Sequence, residues 1–222
     1  MRVHDGIEVF GGVGRDPNIY LIDGELLVDT GTGHLFADIK KQIESAYDRY
    51  SIKTIVNTHC HFDHTGANKK FRDWLKASIA IHINDKNSIE SGSGMLAEFF
   101  NEIPKVVTVD RALKEGSTMK TKNFTFEVIH TPGHSPGSIC LLEKSKKILI
   151  SGDTLFEDSI GRTDLPGGDN SRMLQSLHKL LNYDVHYLLP GHGPPKLGGV
   201  SFLIKQMIEH FGEKRFINYD YY

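Results

Sequence analysis

Thr58-His59-Cys60-His61-Phe62-Asp63-His64-Thr65-Gly66 places three histidines and one aspartate within six consecutive residues. Imidazole nitrogens and carboxylate oxygens are the donors of zinc, iron, manganese and cobalt sites, so this stretch reads as part of a metal centre. It follows Lys53-Thr-Ile-Val-Asn57, a run that reads as a buried strand. The donors therefore stand at a strand's carboxyl end.

Three later places repeat the arrangement. Ile129-His-Thr-Pro-Gly-His134, Ile148-Leu-Ile-Ser-Gly-Asp153 and Val185-His-Tyr-Leu-Leu-Pro-Gly-His192 each break an apolar run at a glycine, and the next residue is a histidine or aspartate. Glycine permits the dihedrals of a sharp turn, so the following side chain can be aimed over a sheet edge. The candidate ligands are thus His59, His61, Asp63, His64, His134, Asp153 and His192. Five imidazoles and two carboxylates exceed what one tetrahedral ion takes, and they divide between two ions if one carboxylate bridges. A structural zinc site would be richer in cysteine and closed. A nitrogen-and-oxygen set with water positions left open has catalytic character.

Around these motifs the chain alternates strands and helices. Strands are expected at 6–10, 18–22, 26–29, 53–57, 78–82, 124–129, 138–142, 147–150 and 185–189. Residues 34–50 show a helical apolar face of Leu35, Phe36, Ile39, Ile43, Tyr47 and Tyr50. Phe71, Trp74 and Leu75 mark a short second helix. Met173 to Leu181 and Phe202 to Phe211 carry two more, the last stopped by Gly212. Residues 85–121 are poorly patterned, with a helical piece at Met95–Phe100. They read as a surface excursion, a substrate lid being the alternative. Together with the tail from Phe211 to Tyr222, this segment is expected to shape a pocket or an interface. No linker divides residues 1–222, so one domain is expected, with helices packed outside stacked sheets.

Composition narrows the function classes. A net charge of −2 gives no electrostatic footprint for nucleic acid or an anionic membrane. No apolar run reaches the roughly 18 residues of a membrane span, and the start has no secretory h-region. Two cysteines, Cys60 and Cys140, cannot form a disulfide framework. A cytoplasmic protein is expected. Histidine is the outlier, at 12 copies.

The stretch 58–66 resembles the HxHxDH signature of the metallo-β-lactamase superfamily. His134 in Thr-Pro-Gly-His-Ser-Pro-Gly, Asp153 in Ser-Gly-Asp-Thr-Leu-Phe, His192 in Pro-Gly-His-Gly and the early Leu27-Val-Asp-Thr-Gly31 are similar to its other motifs, in order, over Gly6 to His192. The resemblance implies an α+β fold, an αββα sandwich with the site along one edge of the two sheets. It implies that His59, His61 and His134 hold one ion, that Asp63, His64 and His192 hold a second, and that Asp153 bridges. True β-lactamases carry cysteine near the place of Asp153, and the run Gly152 to Asp164 is similar to the glyoxalase II-like branch. That branch includes thioester hydrolases and persulfide dioxygenases. Arg162 matches a basic residue used near the thiol substrate's carboxylate. Pro194 stands where glyoxalase II has tyrosine, and only Gly193 to Tyr222 stand where it has a helical extension. Both departures count against glutathione as the thiol carrier.

The expected activity is hydrolysis of a small-molecule thioester or activated ester by hydroxide held between two divalent ions, zinc foremost, with iron or manganese as alternatives. A thiolate leaves with little acid assistance. Asp63 is the one candidate proton shuttle, and Asp29 is a candidate to support a ligand histidine through a hydrogen bond. The alternatives are a persulfide dioxygenase with one iron on His59, His134 and Asp153, and an RNA-processing nuclease. Cys60, between two ligands on an extended segment, is expected to point away and be inert. His4, His34, His82, His130, His178, His186 and His210 are expected to be ordinary core or surface residues.

Overall fold

The computed structural model describes residues 1–213 apart from Val13 and Arg15. The tail expected to shape a pocket or interface lies mostly outside the described residues. One sheet contains β1 (Arg2–His4), β2 (Ile7–Gly11), β3 (Asn18–Ile22), β4 (Leu26–Val28), β5 (Thr54–Val56), β6 (Ser78–His82) and β7 (Arg111–Leu113), in that spatial order. The other contains β8 (Thr118–Lys120), β9 (Thr125–His130), β10 (Ile139–Glu143), β11 (Ile148–Gly152), β12 (Tyr187–Pro190) and β13 (Lys196–Leu197), ordered from β13 to β8. The helices are α1 (Phe36–Ala46), α2 (Phe62–Thr65), α3 (Asn68–Leu75), α4 (Ile83–Ser91), α5 (Asn170–Leu180) and α6 (Val200–Glu213).

The alternation of side chains along each strand makes these layers. In β3 every residue is buried. Tyr20 and Ile22 face the second sheet, while Ile19 and Leu21 face the helices. In β11, Ile148 and Ile150 point inward to the first sheet, and Leu149 points outward to α5 and α6. A central apolar layer thus lies between the sheets. One outer layer joins the first sheet to α1 and α3, and another joins the second sheet to α5 and α6. Each fully buried Leu, Ile or Phe contributes about 1.5–3 kcal/mol by leaving water. This is the αββα sandwich expected from the sequence.

Several boundaries differ from the sequence reading. The apolar stripe at 34–50 outruns its helix: α1 ends at Ala46, and Tyr47 is already extended. Asp48 accepts a hydrogen bond from Tyr50 N at 3.0 Å and starts a separate 3-10 turn, Arg49–Ser51, leaving Tyr50 exposed. Gly212 does not stop α6, which runs to Glu213. Residues 85–121 are more than a surface excursion. They finish α4, close both sheets with β7 and β8, and form a 3-10 turn at Ala97–Phe100 in place of the longer helical piece.

Parallel pairing explains where the site lies. Strands β4, β5, β6 and β7 run parallel in the first sheet, as do β11 and β12 in the second. β9 and β11 both pair antiparallel with β10, so they share a direction. The carboxyl ends of such strands, where crossover loops gather, are the usual place for a site in an open sheet. No helix among the described residues is long and apolar enough to cross a membrane.

Candidate metal centre

The loop after β5 aims its donors by local geometry. His61 is extended and caps α2, while Asp63 and His64 ride on that single helical turn. Cys60 and Phe62 point the other way, into the core shared with α1 and α3. Burial pushes the Cys60 thiol well above its ordinary range, as befits an inert core residue.

The four strand ends meet. His59, His61 and His134 each offer a nitrogen, and these lie within 4.8 Å of one another; the same holds for Asp63, His64 and His192, and for His59, His64 and Asp153. Asp153 lies between the two trios. Its Oδ2 is 3.4 Å from His134 Nε2 and 3.8 Å from His192 Nε2, and its Oδ1 is 3.2 Å from His64 Nε2. All seven sequence candidates are therefore in one cluster.

Glycine has two distinct roles here. Gly152 has a φ of +49°, and a Cβ there would lie 2.7 Å from Thr58 Cβ. Gly191 does not have positive φ, contrary to the expected turn geometry. Its Cβ would instead fall 2.3 Å from Asp153 Oδ1, so glycine is required by close approach.

Hydrogen bonds behind the cluster set the imidazole tautomers. His134 Nδ1 can only donate to the Arg162 carbonyl at 2.7 Å, leaving the Nε2 lone pair for the site. His64 Nδ1 donates to Asp29 Oδ2 at 2.8 Å. The Thr58 hydroxyl donates to the same carboxylate at 2.8 Å and so accepts from His59 Nδ1 at 3.1 Å. His59 and His64 thereby both present Nε2. Asp29 has φ +62°, a left-handed conformation that Asp tolerates better than most residues.

The cluster has the marks of a cation site. His59 Nε2 and Asp153 Oδ1 are buried without a hydrogen-bond partner, which is costly unless something else satisfies them. His64 Nε2 approaches that Asp153 oxygen without hydrogen-bond alignment. Burial, reinforced by neighbouring imidazoles, holds His61 down at about 3 and His59 well below its ordinary range. Neutral imidazole is the form that binds metal. Burial opposes charge on His64, but Asp153, Asp29 and Asp63 outweigh it and hold that ring well above its ordinary range. Burial likewise opposes charge on Asp153, yet His64 above all keeps its carboxyl well below the usual range. The donor set and its orphaned atoms fit divalent ions.

Other residues hold this arrangement without having stood out in the sequence. Asp85, fully buried in α4, accepts from Cys60 N at 2.9 Å, Ser135 Oγ at 2.6 Å and Gly137 N at 2.7 Å. It joins the ligand loop of one sheet to that of the other. Its only sequence signal is a carboxylate three residues past the strand-ending His82. Asn18 Nδ2 donates to the carbonyls of Pro190 and Gly193 at 3.0 and 2.8 Å, and the Tyr20 hydroxyl donates to Pro190 at 2.7 Å. Strand β3 thereby carries the loop bearing His192.

The cluster opens onto a cavity of about 410 Å³. Arg162 lines it, but its guanidinium is paired with Asp164, Nε to Oδ1 at 2.9 Å and Nη2 to Oδ2 at 2.7 Å. The expected anion clamp is therefore already engaged, and the Arg162 backbone carbonyl is what reaches the ligand set.

Residues 12–192 match the Metallo-beta-lactamase superfamily. The chain belongs to that superfamily. It is 36% identical over 148 residues to hydroxyacylglutathione hydrolase GloC of Haemophilus influenzae, covering 64% of this chain and 69% of that protein. The solved structure of the BLEG-1 B3 metallo-beta-lactamase is 31% identical, with a TM-score of 0.77 over 92% of this chain and 97% of that one. That of TTHA1623 in a di-iron-bound form is 32% identical, with a TM-score of 0.70 over 86% and 93%.

Proposed function

We propose that this chain, a metallo-hydrolase by its family, cleaves small-molecule thioesters or activated esters with two divalent ions in the cluster. The observation that carries the reading is the convergence of seven donors from four strand ends, with His59 Nε2 and Asp153 Oδ1 buried and unpaired. His59, His61 and His134 would hold one ion, and Asp63, His64 and His192 the other, with Asp153 between them. When bound, such ions supply Lewis acidity and a water acidified to near-neutral pKa.

The chain's own residues do the remaining work. Asp29, Thr58 and the Arg162 carbonyl keep protons on the outward nitrogens of His64, His59 and His134. No lysine, tyrosine or cysteine lines the cavity among the described residues, so no amine, phenol or thiol competes with water. That suits a thiolate leaving group, whose ordinary pKa near 8.5 needs little assistance. The acyl carbon loses its bond to sulfur and gains one to water oxygen. Asp63, 3.1 Å from His192 Nε2 and partly accessible, is placed to carry the proton released. The GloC relative, named for a thioester-cleaving activity, supports this reading, and the di-iron form of TTHA1623 supports two metal positions.

The test is metal content of the protein as isolated, followed by a thioester panel. Two ions per chain with thioester turnover supports the proposal. One iron per chain with oxygen uptake on persulfides replaces it with the dioxygenase. Turnover of β-lactams and not thioesters would assign the chemistry named for BLEG-1.

A further inference from the structure

The walls of the cavity carry information about the substrate beyond the bond that is broken. On one side, Phe62 N donates to Met95 O at 2.6 Å, tying the ligand turn α2 to the segment that follows. The next residue, Leu96, has φ +57°, a left-handed conformation that bulky side chains rarely adopt. Backbone strain of this kind persists where the surroundings over-determine it, and it clusters at ligand sites. Here it introduces the 3-10 turn Ala97–Phe100, so that Leu96, Phe99 and Phe100 line the cavity. Phe99 is 54% exposed, a large apolar surface beside a polar centre.

The loop after β11 adds further apolar lining. Leu155 and Ile160 pair across a tight loop, and that loop sets Phe156 against His192 with ring centroids 6.1 Å apart. Ile160 and Leu165 complete this side. Among the described lining residues the one permanent cation is Arg162, and Asp164 already takes its guanidinium in a bidentate pair. An anionic group entering here would share that guanidinium with the Asp164 carboxylate. An alkyl chain or plain ring would find carbon on Leu96, Phe99, Phe100, Phe156, Ile160 and Leu165.

We propose that the cavity takes an uncharged apolar group, a straight alkyl chain or an unsubstituted ring, as the part of the substrate beside the scissile bond. The assignment rests on the hydrolytic reading for the bond broken, but not for the ligand bound. It disfavours a carboxylated peptide thiol as the group held by Phe99 and Phe156.

Calorimetric titration of the metal-loaded full chain with S-alkyl thioethers of N-acetylcysteamine tests this, because thioethers are not hydrolysed. From two to eight carbons, affinity should rise about three- to fourfold per methylene until the cavity is filled. Phe99→Ser and Phe156→Ser should each flatten that slope, while Arg162→Gln should leave it intact. A flat series in the wild type, or an unchanged slope in both phenylalanine variants, overturns the proposal. So does S-alkylglutathione binding more tightly than the neutral thioether and losing that advantage in Arg162→Gln. Binding with the expected slope but no turnover of matching thioesters sinks the hydrolytic reading alone and leaves the apolar site standing.

Discussion

Asp29 Oδ2 accepts a hydrogen bond from His64 Nδ1 at 2.8 Å, and the same oxygen accepts from Thr58 Oγ1, which supports His59. One carboxylate at the end of β4 thus orients a histidine of each candidate metal trio. Asp29→Asn keeps the tolerated backbone but turns an N–H₂ toward a donor. Metal affinity should fall about 10–100-fold, as is typical for loss of such support. Chelator competition on the folded variant measures this, and unchanged affinity would remove Asp29 from the site.

Asp85 should matter chiefly to stability. Asp85→Ala leaves the Cys60 N–H, Ser135 O–H and Gly137 N–H without their acceptor, at about 1–3 kcal/mol for each donor left buried and unpaired. Gly137→Ala attacks the same contact from the other side, since its Cβ would lie 2.5 Å from Asp85 Cγ. Both variants should unfold at clearly lower denaturant concentration. A midpoint within error of wild type for Asp85→Ala would contradict the bracing role.

Gly191→Ala is expected to separate folding from metal loading. The new methyl would meet Asp153 Oδ1 at 2.3 Å and His64 Cε1 at 2.9 Å, and of the sheets only the Gly152 end of β11, at 3.0 Å. The circular dichroism spectrum should match wild type, with bound metal reduced by at least one ion per chain by elemental analysis.

Both thiols should be silent in the folded protein. Burial pushes Cys140 up to about 11 and Cys60 well above its ordinary range, and both side chains sit in apolar clusters. Titration with a disulfide reagent at pH 7.5 should find no fast thiol, and two after denaturation. A rapidly reacting native thiol would show that one of the loops opens.

His82 gives a pH dependence of defined sign. It caps α4, accepting from Asn84 N at 3.3 Å, and stacks on His130 with centroids 3.9 Å apart. Burial, then His130, holds it at about 4, below the ordinary 6.5. The folded state therefore prefers the neutral ring. Its contribution is complete above pH 6.5 and is lost as pH falls from there toward 4. His82→Asn keeps a capping acceptor without the titration. The stability difference, wild type minus variant, should shrink or reverse between pH 7 and pH 4.5 in denaturant melts. A constant difference would refute the assignment.

The candidate ligands were legible because metal chemistry demands particular donors and strand ends demand particular turns. Histidine and aspartate placed directly after a glycine that breaks an apolar run leave few other readings. Alternating and helical apolar patterns located α1, α3, α5, α6 and most strands for the same reason, since burial enforces the period, but not the short β1, β7, β8 and β13 or α4. Where a local side chain competes with the pattern, the reading failed. Asp48, capping its own 3-10 turn, leaves Tyr50 outside α1.

From its residues alone, this protein's donors, their order and the layered alternation of its strands were determined. What only the tertiary structure decided was which distant residues brace and line the site those donors form. Asp85 bridges Cys60 and Ser135, Asn18 carries the His192 loop, and Arg162 is taken by Asp164. Leu96 and Phe156, far apart in sequence, line a single cavity with the metal centre. Local spacing records which way a side chain leaves its own strand. Which partner it meets depends on how two sheets pack, and that is set by the summed burial of the whole chain.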